Sequence, residues 1–262
     1  MDPFADFKAA QRKGWAFFAP LEAITTIPAA KLVAFARVKQ GQRALDVGSG
    51  TGVVAVTAAR AGAKVSSLDL TPELIEVARH NAQLADVVID FREGDVEALP
   101  FNDASFDMVL SQFGHMFAPR PDLTVKEMLR VLKPGGVIAF STWPPELFVG
   151  RMFALTGRYA GPPPAGVAPP PQWGDVNLVR ERLGAAVRDL TFDRGTMLNP
   201  ALSPAHHRMQ SERLAGPVKR FVESADPEKL ALFRREYEAL VAEYFEGNCV
   251  RQDYLMTRAT KA

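Results

Sequence analysis

Apolar residues recur at helical spacing over residues 4–18 (Phe4, Phe7, Trp15, Phe18), and Pro20 ends the run. Pro28 is placed to open a second helix over 29–39, because a proline in a first helical turn withholds no needed N–H. Residues 43–47 are apolar and cut off by Gly48, the pattern of a buried strand. A helix over 53–61 follows, with Gly62 positioned to stop it. The alternation then repeats, with a strand over 64–70 and a helix from Thr71 to Leu84. Thr71 as cap, Pro72 as first residue and Glu73 in the first turn all favour that start. Further strands are predicted at 87–92 and 106–112, a helix at 122–132, a turn at Lys133-Pro134-Gly135-Gly136 and a strand at 137–143. Strands alternating with helices over this length predict an α/β protein: a doubly wound, mostly parallel sheet covered on both faces.

Past residue 143 the pattern loosens. Residues 146–159 read as a helix, while 161–171 hold six prolines and predict a stiff extended lid or spacer. A helix is predicted at 175–183, a strand at 187–194 and helical pieces over 203–224 broken at Pro217. A long amphipathic helix over 226–246 precedes a last strand at 250–257. The chain therefore divides into an N-terminal helical cap (1–40) and a ligand-binding core (41–145). A substrate-side cap follows, holding the proline-rich loop and one strand (146–224), and then a C-terminal helix and strand (225–262). The stripe Leu230, Phe233, Tyr237, Leu240, Tyr244 on the long helix suits packing on the sheet better than a dimer seam, although a homodimer stays open.

Charge and cysteine content narrow the partners. With 31 basic and 30 acidic side chains the formal net charge is +1, so no global field draws in nucleic acid or an anionic membrane. Cys249 is the one cysteine, which excludes an internal disulfide and a cysteine-rich metal site. Charged residues interrupt the first twenty positions, no run of about eighteen apolar residues stands out, and a cytoplasmic protein without a membrane span is expected.

The chemistry concentrates in Ala44-Leu45-Asp46-Val47-Gly48-Ser49-Gly50-Thr51-Gly52, between a buried strand and a helix. Glycines let the backbone turn sharply and approach a ligand, and the helix start behind them offers unpaired N–H groups. A dinucleotide fingerprint wants a third glycine where Val53 stands. Asp46 would repel a pyrophosphate, whereas it suits an ammonium group. Asp69, about twenty residues after the glycines, can accept both hydroxyls of a ribose. Asp95 is placed to meet the exocyclic amine of an adenine.

Leu45-Asp46-Val47-Gly48-Ser49-Gly50-Thr51-Gly52, Leu68-Asp69-Leu70 and Gly94-Asp95-Val96-Glu97-Ala98-Leu99-Pro100-Phe101 resemble successive motifs of the class I S-adenosylmethionine-dependent methyltransferases. So do Ser105-Phe106-Asp107-Met108-Val109 and Leu129-Arg130-Val131-Leu132-Lys133-Pro134-Gly135-Gly136. The wording is most similar to the branch holding the ubiquinone/menaquinone-biosynthesis C-methyltransferases, over roughly residues 40–145. Ser141-Thr142-Trp143-Pro144-Pro145 departs from that branch. The resemblance implies a seven-stranded Rossmann-like sheet with a reversed final strand, S-adenosylmethionine as cofactor and a small-molecule acceptor. It implies that Gly48, Gly50 and Gly52 line the cofactor and that Asp69 holds its ribose, with Asp46, Ser49 and Leu70 among the cofactor-binding residues. Asp95 and Val96 would flank the adenine, and Gln112 and Phe113 would border the sulfonium.

His115, just after the fourth strand, is the candidate general base, since an unperturbed imidazole titrates near 6.5. A loop histidine that merely shapes the pocket is the plainer reading. His206 and His207 fall on a predicted surface helix and point in different directions, so no metal site is expected. Trp15, Phe17, Phe18, Phe113, Phe117, Trp143, Phe148 and Trp173 are candidates for facing the sulfonium, though any one is more often plain core. Glu93, Glu97, Asp103 and Asp107 form a candidate carboxylate cluster with a structural alternative at each position. The aromatic content outside the core predicts a hydrophobic or aromatic acceptor, with C-, N- and O-methylation all open. The rival readings are a non-catalytic S-adenosylmethionine-binding protein of this fold and an NAD-dependent oxidoreductase.

Overall fold

A computed structural model describes residues 2–161 and 163–262. Five strands come first: β1 (Arg43–Val47), β2 (Lys64–Asp69), β3 (Ile89–Glu93), β4 (Phe106–Gln112) and β5 (Leu132–Thr142). β6 (Val187–Pro200), β7 (Phe245–Glu246) and β8 (Cys249–Lys261) complete the sheet. The order is β3-β2-β1-β4-β5-β8-β6, parallel from β3 to β5. β8 runs antiparallel to both β5 and β6, so the expected reversed final strand is present. The short β7 pairs with Cys249 and Val250 at the start of β8.

Among the described residues, ten α-helices flank the sheet: α1 (Ala5–Trp15), α2 (Glu22–Ala36), α3 (Val53–Arg60), α4 (Pro72–Leu84), α5 (Pro121–Val131), α6 (Phe148–Ala160), α7 (Val176–Leu183), α8 (Pro204–Leu214), α9 (Gly216–Ser224) and α10 (Pro227–Ala242). Successive strand residues point to opposite faces, and both faces are buried. Ala44, Met108, Leu110 and Ala139 pack against Ala29, Leu32 and Ala36 of α2 and Val54 and Ala58 of α3. Leu45, Val47, Val109, Ile138 and Phe140 belong with Val125, Met128 and Leu129 of α5 in the larger core. Each fully buried Leu, Val or Phe stabilises the fold by roughly 1.5–3 kcal/mol.

Several expectations are corrected. Pro28 lies inside α2 rather than at its start. The carbonyl of Thr25, in the turn before Pro28, accepts from Gln112 Nε2 at 2.9 Å. Residues 19–36 are long and apolar enough to cross a bilayer, contrary to the sequence reading, yet Ala29, Leu32, Val33 and Ala36 pack on the sheet as a core helix does. The turn expected at 133–136 is an irregular start of β5, where the register jumps from Phe106↔Leu132 to Met108↔Val137 and Gly135 takes φ +72°. Thr71 precedes α4 but makes no side-chain cap. α10 packs chiefly against α6 and α8. The proline-rich stretch includes Pro162, which lies outside the described residues; at its far end Trp173 is buried, and Thr142 Oγ1 donates to its carbonyl at 2.9 Å.

Candidate active site

Ligand sites in open α/β sheets lie beyond the carboxyl ends of the strands, where the strand order reverses. Here that place is between β1 and β4, and it opens into one continuous cavity of about 270 Å³. Its floor is two loops in close backbone contact. Gly48, after β1, takes φ +61°, and a Cβ there would lie 2.8 Å from the Cα of Gly114. A Cβ on Gly114 would in turn lie 2.1 Å from the carbonyl oxygen of Gly48. Ser111 Oγ ties the loops together, donating to the Val47 carbonyl at 2.7 Å and accepting from His115 N–H at 3.1 Å. Phe113 is left in a left-handed conformation (φ 59°), its ring stacked on Trp143 at 3.9 Å.

The cofactor-side residues gather at one end. Asp46, Gly48, Ser49, Gly50, Asp69, Leu70, Asp95, Val96, Gln112 and Phe113 all line the cavity. Gly52 does not: a Cβ at Gly52 would meet Ala78 Cβ at 2.9 Å, so that glycine serves the packing of α3 on α4. Asp69 Oδ2 accepts from Gly50 N–H at 2.7 Å and Oδ1 from Thr71 N–H at 2.8 Å. Asp46 Oδ2 accepts from Ala55 N–H at 3.0 Å, while its Oδ1 is buried with no partner among the described residues. Burial raises the pKa of both carboxyls, that of Asp46 well above the usual range, with the neighbouring Asp69 adding to the rise. A buried, half-unpartnered carboxylate beside an open cavity is suited to receive a cationic hydrogen-bond donor.

Asp95 is already engaged on both oxygens. Oδ1 accepts from Glu97 N–H at 2.9 Å, and Oδ2 from Lys8 Nζ at 2.5 Å. Lys8 also reaches Asp2 and Glu97, each at 2.6 Å, and Arg120 holds Glu97 from the other side. This network pins α1 across the cavity's edge. The lysine ammonium sits among the carboxylates of Asp2, Asp95 and Glu97, so the grouping is an ion-pair cluster. The other candidate carboxylates are structural too: Asp103 pairs with Arg130, Glu93 with Arg12, and Asp107 with Lys133 and the Arg43 N–H.

His115 is corrected as a candidate base. Its ring is fully buried, 4.7 Å from Phe140 and 4.5 Å from Trp173, and neither nitrogen has a partner among the described residues. It lies outside the cavity lining. Burial, with the charge of Arg182 second, lowers its pKa to about 3, so it packs as a neutral ring. Of the aromatic candidates, Trp15, Phe18, Phe113, Phe117 and Trp143 line the cavity. Phe148 and Trp173 are core residues, and Phe17 is largely exposed.

The other end was not foreseen. His207, read as a surface residue, is 2% exposed and lines the cavity together with Met197, Asn199, Ser211 and Gln252. Burial lowers its pKa to about 4. The only sequence signal for it is the preceding Ser203-Pro204, which caps α8 through a Ser203 Oγ bond to His206 N–H and thereby sets the helix phase. Lys8 had a clearer signal. It falls at helical spacing with Phe4, Gln11 and Trp15, a charge on the face that packs inward.

Residues 45–140 match the model of a methyltransferase domain. The uncharacterized protein Rv1403c of Mycobacterium tuberculosis H37Rv is 36% identical over 233 residues, 88% of this chain and 85% of that protein. The demethylmenaquinone methyltransferase of Clavibacter sepedonicus is 38% identical over 125 residues, 47% of this chain and 50% of that protein. Among solved structures, the YcgJ protein of Bacillus subtilis superposes with a TM-score of 0.59 at 20% identity, covering 89% of this chain and 98% of that one. At that identity the likeness is one of fold.

Proposed function

The chain belongs to the class I S-adenosylmethionine-dependent methyltransferases, and from that premise we propose that it methylates a small, largely apolar or aromatic acceptor bound beside the cofactor. The observation that carries the reading is the continuity of the cavity. Its charged groups, Asp46, Asp69, Asp95 and Lys8, lie at the end formed by β1, β2 and the loop after β3. Trp15, Phe18, Phe117, Val149, Met152, Phe153 and Val218 line the remainder. One end suits a polar cofactor and the other a greasy guest.

The residues present fit the cofactor. Asp46 Oδ1, buried and unpartnered, matches the ammonium of the methionine portion, and the carboxylate of Asp69, which accepts one N–H on each oxygen, keeps lone pairs that would hold a ribose's hydroxyls. Gly50 leaves open space where any side chain would intrude. When bound, S-adenosylmethionine supplies a methyl group activated by a cationic sulfonium. The chain's own part is to position the acceptor and keep the site dry, and such positioning contributes on the order of 7–11 kcal/mol. Phe113 and Trp143, stacked together, and Phe117, 4.6 Å from Trp15, offer aromatic faces that stabilise a cation by roughly 0.5–2 kcal/mol each without competing as nucleophiles.

Room for an acceptor speaks against a protein that only holds the cofactor. The likeness to the demethylmenaquinone methyltransferase spans 47% of this chain, so that protein's acceptor is not carried over to this one. Calorimetric titration with S-adenosylmethionine, S-adenosylhomocysteine and NAD tests the reading. Micromolar binding of the first two and none of NAD is expected; binding of NAD alone would sink it.

A further inference from the structure

Charge is confined to one end of the cavity. At the other, the polar lining is uncharged: Asn199, His207, Ser211, Gln252. Three separate elements supply it. Asn199 and Gln252 come from adjacent antiparallel strands, since β6 pairs Met197 with Gln252 and Asn199 with Val250. His207 and Ser211 lie one helical turn apart on α8. The amide nitrogens of Asn199 and Gln252 both approach His207 Nε2, at 3.3 and 3.5 Å. In the tautomer with the proton on Nδ1, Nε2 has one lone pair and accepts from Asn199, the nearer amide; with both NH₂ groups turned to the imidazole, the two amide oxygens are left to accept from something else. Ser211 Oγ accepts from Tyr237 at 2.8 Å, which leaves its own hydrogen to donate. His207 Nδ1 is buried without a partner among the described residues.

Polar groups set in an apolar wall cost stability unless a ligand or water completes them. Here they converge on one place, and a few placed polar groups in an apolar pocket are what fixes a ligand's orientation. No lysine or arginine lines this end, and burial keeps His207 neutral, so a carboxylate or phosphate would find no counter-charge.

Building on the methyl-transfer reading above, we propose that this cluster, oriented by His207 and Tyr237, anchors an uncharged hydroxyl on the distal end of the acceptor: the Asn199 and Gln252 amide oxygens share the hydroxyl's one hydrogen, and its oxygen accepts from Ser211 Oγ. Gln112 ends β4, β5 is its neighbour, and β8, which carries Gln252, is next again. Gln112 is level with Met256, two strand spacings away, and Gln252 lies four residues further along β8, which together place the hydroxyl on the order of 15 Å from the sulfonium-side residues. The acceptor is then an elongated apolar molecule hydroxylated at the end opposite the methylated atom. Asn199 and Gln252 set specificity; His207 is a positioning residue.

The test compares two isosteric probes, 4-phenylphenol and 4-methylbiphenyl, on protein saturated with S-adenosylhomocysteine, read by quenching of Trp15 and Trp143. A site built to bond a hydroxyl should favour the phenol by about tenfold or more. Asn199→Leu and Gln252→Leu should each cut that ratio to about threefold or less, with affinity for 4-methylbiphenyl and for S-adenosylhomocysteine unchanged. A general loss of packing would weaken both probes together and leave the ratio intact. No preference in the unmodified protein, a preference kept by both variants, or binding of neither probe overturns the anchor. If S-adenosylhomocysteine itself fails to bind, the transfer reading falls, and the same ratio on ligand-free protein decides the anchor alone.

Discussion

At the cofactor end of the cavity, Asp46, Gly48, Ser49, Gly50 and Thr51 come from one short loop, and most of what lines it is backbone or carboxylate. At the other end, Met197, His207, Ser211 and Gln252 arrive from β6, α8 and β8, spread over more than fifty positions of the chain. The first end is rigid because two backbones touch, Gly48 against Gly114. The second is held by side chains, with Tyr237 behind Ser211 and two amides on one imidazole. A site made of backbone tolerates little change of sequence, whereas one made of side chains can be re-cut to a new guest without disturbing the sheet.

That contrast is broken first at Gly48. Gly48→Val would place a Cβ against Gly114 and force a β-branched residue to φ +61°. Strain of about 3 kcal/mol, roughly a hundredfold, is expected in S-adenosylhomocysteine affinity, with a lower Tm. A variant that binds as the parent does would mean the two loops part freely.

Next come the carboxylates. Asp69→Ala should weaken S-adenosylmethionine binding more than tenfold, since a lost charged hydrogen-bonding group is worth roughly 1.5–3 kcal/mol. Asp46→Asn should do likewise, with a second effect of opposite sign. Because burial raises the Asp46 pKa, its contribution to stability is fully present only below its usual range and is lost as pH rises through the folded-state value. The neutral amide escapes that loss. At pH 7 the ligand-free variant should melt higher than the parent, and saturating cofactor should shrink or reverse the difference. A variant less stable without ligand would refute the burial argument.

A smaller effect is expected at the clasp. Lys8→Met leaves Glu97 its Arg120 partner but strips Asp95 of Lys8. About 1–2 kcal/mol of stability should go, with faster amide exchange confined to α1. Exchange that quickens across the whole sheet instead would show the cluster to be a global strut.

The two ends also differ in how far the chain alone reveals them. All seven long strands and the glycine loop could be read beforehand, because hydrophobic periodicity and glycine punctuation are local. Gly52 was misplaced because a glycine demanded by a neighbouring helix looks the same in sequence as one demanded by a ligand. Pro28 resembles a helix start because proline suits a first turn, whereas the helix begins six residues earlier at Glu22. His207 and Gln252 lie 45 positions apart and meet only once β8 is laid beside β6. No pattern within either segment announces that encounter.

The two buried histidines put the comparison to its finest test. His115 and His207 are both held neutral, with pKa values lowered to about 3 and about 4. One lines the cavity and orients two amides; the other touches Phe140 and Trp173 and bonds to nothing through its ring. His115→Phe should therefore change methyl transfer by about twofold or less, far below the 10²–10⁴ that loss of a general base costs. The same variant should alter acid stability. A histidine whose folded pKa is depressed contributes stability that is complete above its unfolded value near 6.5 and drains away as pH falls toward the folded value. Removing His115 abolishes that drain, so the parent's Tm should fall more steeply than the variant's between pH 6.5 and 4. Taking the difference between the two proteins cancels the opposing contributions of Asp46 and Asp69. Parallel Tm curves would mean the ring is protonated as easily in the fold as outside it, and a drop in turnover of a hundredfold would return His115 to the chemistry.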